Sequence, residues 1–262
     1  MTQFRTLPVF GADQRSTAEV VRGIMDGKTN NTGTLTLATG NATTTTLYDE
    51  RIGYDSLIFF VPVSTAAEND SAPYGAFQDS TDQIAANTTT AYAITYNTTD
   101  YSNGIYLSNS SRLNVRNYGI YNIQFSVQFK NTTNDGQDVD IWFRKNGTDI
   151  ANSNSRFFLP ARKSTGDPSH LIAAMNYFLE MNAGDYAEIM WRTTDIGVSL
   201  EAYGNSTTPT RPSVPSAIVT VSYVAPAATT NLYVSSQQQG SATVSHWANS
   251  TADKTYGYII VG

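Results

Sequence analysis

The residues whose types could do chemistry are few, and their spacing argues against a reactive centre. The chain contains two histidines, His170 and His246, and no Gly-x-Ser-x-Gly elbow. A nucleophilic triad needs three groups within mutual hydrogen-bond reach. His246, beside Trp247 in a strand-like stretch, reads as a hydrogen-bonded structural residue. His170, after Asp167-Pro168-Ser169, reads as an exposed loop residue. Asp138 and Asp140 fall on one face of a strand, and Glu180, Asp185 and Glu188 gather around the turn "NAGD". A glycosidase requires two carboxyls facing each other across a cleft, and calcium requires about six to eight oxygens. These acids read instead as solvated faces and turn caps, with calcium as the alternative. Trp142 lies on the strand face opposite Val139, Ile141 and Phe143. There it serves either as a glycan platform or as part of a subunit interface or second-sheet core. No catalytic, cofactor or metal-ligating set is expected.

Composition narrows the class. Charged residues make up 15% of the 262 residues, against roughly 25% in typical soluble globular chains. Asn, Thr and Ser carry the polarity, while 11% aromatics, including 16 Tyr, separate the chain from disordered sequences. The net charge of −6 with no basic run argues against nucleic acid, whose binding relies on clustered cations. Cysteine is absent, so disulfides and thiolate metal sites are excluded. The opening "MTQFRTLPVF" lacks a charged segment leading into an apolar one, so no secretory signal is expected. No apolar run reaches the ~18 residues of a membrane span.

The elements that must position these residues are mostly strands. One helix is predicted, in "STAEVVRGIMDG". Ser16 and Glu19 form a capping box, Thr17, Val20, Val21 and Ile24 form one stripe, and Gly27 ends it. "SLIFFVPV" reads as a strand covered on both faces, with Pro62 marking an edge or a bulge near its end. In "GIYNIQFSVQFK", Tyr121, Ile123, Phe125, Val127 and Phe129 alternate with polar residues, as in a half-buried antiparallel strand. Asn146-Gly147 is a strong hairpin signal. "LIAAMNYFLEM" could be a helix by propensity, but its place in a run of strands favours strand. From about residue 74 to 224, strands and turns alternate at the spacing of a β-sandwich or barrel.

The order "YGIYNIQFSVQF", "VDIWFRKNGTDI", "FLEMNAGDYAEIMW", "PSVPSAIVTVSYV" resembles the trimeric jelly-roll modules related to tumour necrosis factor and the globular head of complement. Similar modules are frequent in fibres and surface proteins of tailed bacteriophages. The flanks resemble the two parts of a small module of phage structural proteins, which in those relatives run on directly. "STAAEND" (64–70) and "APAATTN" (225–231) then read as two ends of one cut loop. Exposed loop tips tolerate such insertions. The expected fold is therefore all-β: a jelly-roll sandwich at 70–225 inserted into a small β domain of residues 1–69 and 226–262 that bears one N-terminal helix. "NLYVSS", "SATVSHW" and "TYGYIIVG" are expected as the partners of "SLIFFVPV".

The resemblance implies a non-enzymatic structural protein of the virion. It would be a homotrimer in which the small domain attaches to other virion proteins, with the major capsid protein foremost. A capsid-surface decoration or short head fibre is the first reading. The alternative is a receptor-binding tail protein that recognises a host surface glycan through the jelly roll, with Trp142 as a contact. The closing strand "SAIVTVSYV" carries apolar residues on both faces, so Ile218, Val219, Val221, Tyr223 and Val224 are expected at the subunit interface.

Overall fold

The structure, a computed structural model, describes residues 6–27, 30–68, 70–224 and 232–262. The chain divides into two compact units, Met1–Ser71 with Thr230–Gly262, and Ala72–Thr229. Of the two ends of the expected cut loop, 225–231 lies outside the described residues, and 64–70 holds a short helix. In chain order the helices are α1 (Gln14–Met25) and α2 (Thr65–Glu68). The longer strands are β1 (Thr32–Thr36), β2 (Ala42–Tyr48), β3 (Leu57–Pro62), β4 (Tyr74–Asp79), β5 (Thr98–Asn103), β6 (Ile105–Ser108), β7 (Arg112–Val115) and β8 (Gly119–Asn131). They continue with β9 (Gln137–Lys145), β10 (Ser155–Leu159), β11 (Ser169–Met181), β12 (Tyr186–Thr193), β13 (Val198–Leu200) and β14 (Ala217–Tyr223). The last three are β15 (Leu232–Gln238), β16 (Ser241–Asn249) and β17 (Thr255–Val261). The fold is all-β, with every named strand pairing antiparallel.

The small unit is two three-stranded sheets, β1-β17-β3 and β2-β16-β15, around one core. Period-two alternation turns Leu35, Leu47, Val244, Tyr256, Tyr258 and Ile260 inward, and all are buried. Of the three expected partners of "SLIFFVPV", only β17 hydrogen-bonds to β3, with Phe60 opposite Tyr258 and Ile58 opposite Ile260. The other two segments, β15 and β16, belong to the second sheet with β2. Pairing between distant strands depends on the closed core, which alternation does not encode. β3 does end at an edge, with Pro62 its last residue. Its second face is open, because Leu57, Phe59 and Val61 remain exposed.

Two polar clusters tie this core together, one at Tyr258, Asp49 and Arg51 and one at His246 and Thr45. The Tyr258 hydroxyl donates to Asp49 Oδ2 at 2.7 Å, and the Arg51 Nε donates to Asp49 Oδ1 at 2.7 Å. The Arg51 bond, ahead of all other influences, holds the Asp49 carboxyl well below the usual range, while burial and Asp49 push Tyr258 up to about 12. The Tyr258 ring lies against Gly33, where a Cβ would come within 2.1 Å of Cζ. His246 is buried, with Nε2 2.8 Å from Thr45 Oγ1 and Nδ1 2.7 Å from the Trp247 carbonyl oxygen. Thr45 Oγ1 also accepts the Ala38 amide at 2.8 Å. One arrangement satisfies every atom: His246 is neutral, its Nδ1–H donates to the Trp247 carbonyl, and its Nε2 accepts the Thr45 hydroxyl. Burial lowers the His246 pKa below 6.5, as this neutral form requires.

The helix α1 starts three residues earlier than its sequence implied. Asp13, not Ser16, is the N-cap. Its Oδ1 accepts the Ser16 amide at 2.7 Å, so Glu19 is not needed for a capping box and pairs with Arg15 at 3.2 Å instead. A carboxylate at the N-cap also complements the helix dipole. Gly27, at φ +75°, follows the helix as expected. The stripe is present but uncovered, with Val21, Ile24 and Met25 exposed.

The large unit is a β-sandwich of two seven-stranded sheets. In the first, β8 is central. β11 pairs along its whole length on one side, and β14 and β13 share the other; β4 and β5 follow beyond β14. In the second, β9 pairs with β10 and β12, and β12 leads to β7 and β6. The inward rows of both sheets, Ile123 and Val127 of the first with Val139, Ile141, Phe143 and Trp191 of the second, fill one core. "LIAAMNYFLEM" is strand, since only an extended chain can match β8 residue for residue. Asn146 and Gly147 take left-handed conformations and turn the chain after β9. The "NAGD" turn locks onto this hairpin: Asn146 Nδ2 donates to Asp185 Oδ1 at 2.7 Å, and the Tyr186 amide donates to Asn146 Oδ1 at 3.0 Å. Gly119 has a comparable role, because the Tyr223 ring occupies the space of its missing side chain and a Cβ would fall 2.0 Å from Cε2. Tyr223 then meets Tyr121 edge-on at 5.5 Å.

Two outcomes follow. Gly119→Ala and Gly33→Ala should each lower stability by about 1–3 kcal/mol, because a ring backed by a packed sheet must move. Urea unfolding should show this loss, and Ser126→Ala, on the outward face of β8, should change little. His246 contributes stability that is fully present above its unfolded value of 6.5 and is lost as pH falls through its lower folded value. The urea midpoint of the small unit should therefore drop between pH 7.5 and pH 5, and His246→Leu should flatten that slope.

Candidate functional site

The acidic residues singled out in the sequence are dispersed, each held by its own partners. Asp140 is buried between two arginines. Arg156 Nε reaches Oδ1 at 2.8 Å, and Arg192 Nε reaches Oδ2 at 2.8 Å. The Arg156 bond first, with Arg192 beside it, keeps the Asp140 carboxyl below the usual range despite burial. Asp138 is 3.8 Å from the same Arg156. The pair therefore shares a face and a counter-ion, and no cleft lies between them. Glu180 accepts the Tyr118 hydroxyl at 2.6 Å, and Asp185 caps its own turn by accepting the Asn182 amide at 2.8 Å. Glu188 accepts Ser111 Oγ at 2.7 Å, with Arg112 3.6 Å away. Among the described residues no three acidic or histidine side chains converge as a metal site.

Sequence reasoning missed a polar pocket on the large unit. Lys130 projects from the outward face of β8. Its Nζ lies 2.7 Å from Glu201 Oε1, while the Tyr203 hydroxyl donates to Glu201 Oε2. His170, at the start of β11, joins this group with Nδ1 3.0 Å from the Tyr203 hydroxyl and 3.4 Å from Glu201 Oε2. It is thus tied into a network as well as half exposed, which a loop reading did not anticipate. With Arg162 and Thr132 these residues line an open pocket of about 450 Å³. Burial alone would raise the Glu201 pKa; the bonds from Lys130 and Tyr203 outweigh it and lower the value. The carboxylate is thereby neutralised, leaving Arg162, Thr132 and the rings of His170 and Tyr203 to face a ligand. That set suits a hydroxylated or anionic group. Lys130 and Glu201 stand far apart in sequence, and the only clue was the alternation that turned Lys130 outward.

Trp142 is half-buried on the outer face of its sheet, directly opposite the buried Met190. Its indole is bonded toward Asp149, which Arg144 Nε also reaches at 2.7 Å. A flat exposed platform is absent at this position.

The interface expected at β14 needs correction. Val219 and Val221 point into the core of their own unit and are sealed there. Tyr223 is half-buried over Gly119. Period-two geometry sends only Ile218 and Val224 outward, where they are 40% and 38% exposed, with Thr220 and Ser222 between them. The closing strand therefore has one apolar face and one mixed face, and only the mixed face is open. The same outer surface carries exposed Ile120, Ile172 and Phe178 from β8 and β11.

Asp140→Asn should cost about 1–3 kcal/mol, because the two guanidinium groups lose their shared negative charge and one of its two acceptor oxygens. The native carboxylate contributes stability that is present above its unfolded value of 3.8 and lost as pH falls through the lower folded value. Acid titration of unfolding should therefore be shallower in the variant.

Comparison with protein-family models and with curated proteins returned no match. The geometry and the quoted motifs therefore carry the functional reading.

Proposed function

We propose that this chain is a non-enzymatic structural protein of a tailed-phage particle. It acts as a homotrimeric capsid-surface decoration or short head fibre. The small unit attaches to other virion proteins, the major capsid protein first among them, and the sandwich faces outward. The observation that carries this reading is the division of the chain: a β-sandwich with the quoted strand-and-turn motifs interrupts a small unit built from both ends. Two further features support it. The candidate acids are each occupied by arginine, lysine, tyrosine or a turn amide, so their charge is spent on the fold. The outer face of the first sheet also presents Ile120, Ile172, Phe178 and Ile218 among amides and hydroxyls. That mixture fits a surface covered by further copies of the same unit better than one in permanent contact with water.

The pocket at Lys130, Arg162, His170 and Tyr203 favours a second reading, a receptor-binding tail protein that recognises a host surface glycan. Gold labelling of intact particles with antibody against the chain separates the two. Label over the head is the expected result. Label confined to the tail would overturn the decoration reading and promote the receptor reading. Native mass spectrometry at micromolar concentration should show a trimer, and a spectrum of monomer alone would remove the trimeric part of the proposal.

A further inference from the structure

The small unit has an open side. Its two sheets end in β3 and β15, and among the described residues neither strand pairs along its second edge. Between them runs a cleft of about 900 Å³, walled by consecutive residues of both strands, Leu57–Phe60 and Leu232–Gln237. Elsewhere in this unit the inward apolar side chains are sealed. On these two strands Ile58, Phe60, Leu232 and Val234 are only partly buried against the core. At one end the Gln237 side chain crosses the gap, its Nε2 donating to the carbonyls of Tyr54 and Ser56 at 2.5 and 3.1 Å. An amide side chain there does what a strand's backbone N–H would do. Two facing edges with free backbone groups and an apolar floor select an extended peptide, since only a main chain satisfies both walls.

The same unit carries an exposed segment without regular structure. Residues 6–12 form neither helix nor strand, and Leu7, Val9 and Phe10 are 40%, 89% and 90% exposed. In an extended chain Leu7 and Val9 share one side and Phe10 takes the other. Leu7 and Val9 match the floor of Ile58, Phe60, Leu232 and Val234. Phe10 would lie beside Phe59 and Tyr233, which are exposed on the outer rim. Pro8 removes one ladder donor, and its fixed φ is compatible with an extended chain. Helix α1, about 18 Å long, separates this arm from β1, and its own apolar stripe is uncovered.

We propose that the arm Thr6–Ala12 of one copy inserts as a strand into the β3–β15 seam of a second copy, closing its sandwich. Every copy both gives and receives an arm, so a closed ring leaves no seam empty. The inference needs a second copy of this chain and does not depend on the particle reading.

Amide hydrogen exchange on the full chain tests it, with a variant in which Leu7→Ser, Val9→Ser and Phe10→Ser are combined. None of these side chains is buried, so the variant should fold, and unchanged exchange in Ser241–Asn249 verifies that. Segments 57–62 and 232–238 should exchange roughly tenfold or more slowly in the native chain than in the variant. A synthetic peptide of residues 6–13 should restore their protection in the variant. Equal exchange in both chains, with no effect of the peptide, would overturn the proposal. Protection of these segments in a native chain that mass spectrometry shows to be monomeric would place the arm in its own seam, and would equally overturn exchange between copies.

Discussion

The large unit depends on the two-sided pairing of β8. This strand is hydrogen-bonded along one entire edge by β11 and along the other by β14 and β13. Its inner row, Tyr121 to Phe129, is sealed against the second sheet. Such a strand has no slack. A register slip of one residue would turn five apolar side chains outward and five polar ones inward. Gly119 fixes the register at the first end by receiving the Tyr223 ring, and Tyr121 fixes it by donating its hydroxyl to the Asn117 carbonyl at 2.7 Å. The Asn146 hairpin and the Asp185 turn then hold the second sheet by bonding to each other rather than to solvent.

The small unit follows a different logic. Its core is closed on most sides by tyrosines whose hydroxyls reach acids, Tyr258 to Asp49 and Tyr256 toward Asp70. Asp70 also receives Lys254 at 2.6 Å, with both side chains nearly buried. This ion pair and the Ser64 hydroxyl, which accepts the Thr255 amide at 3.0 Å, clamp the chain just after β3 to the start of β17. The chain therefore leaves this unit from a point fixed at 64–70, where a long excursion can begin without loosening the sheet. What stays open is the seam between β3 and β15, which Ala67, Glu68 and Asp70 also line, together with the N-terminal arm and the stripe of α1. Apolar surface left open at three places in one small unit fits a module built to be completed by contact.

Charge in this chain is used to hold geometry. The Asp140–Arg156–Arg192 group braces the outer face of the second sheet, and Glu201 gathers Lys130, His170 and Tyr203 at one end of the first. With so few charged residues, the carboxylates of Asp49, Asp140, Asp185 and Glu201 each meet specific donors. The pocket beside Glu201 is lined by the same braced groups.

Much of the local structure was legible from the amino-acid order alone. The alternation of β8, the hairpin at Asn146-Gly147, the Gly184-Asp185 turn, the edge position of Pro62 and the glycine ending α1 all follow from short-range sterics and period, which a sequence displays directly. The N-cap was misplaced because Asp13 and Ser16 both satisfy the same rule and only geometry ranks them. The partners of β3 were only partly readable. Alternation says which face of a strand is buried, but pairing between segments some two hundred residues apart is chosen by how two sheets close around one core. Val219 and Val221 were expected at a subunit interface because their strand is apolar on both faces, whereas the second sheet of their own unit seals them. The polar pocket and the open seam belong wholly to the tertiary level, because each is made by side chains or strand edges that only folding brings together. Residue type and period determined the strands and turns; long-range packing alone decided which surfaces were left over to act.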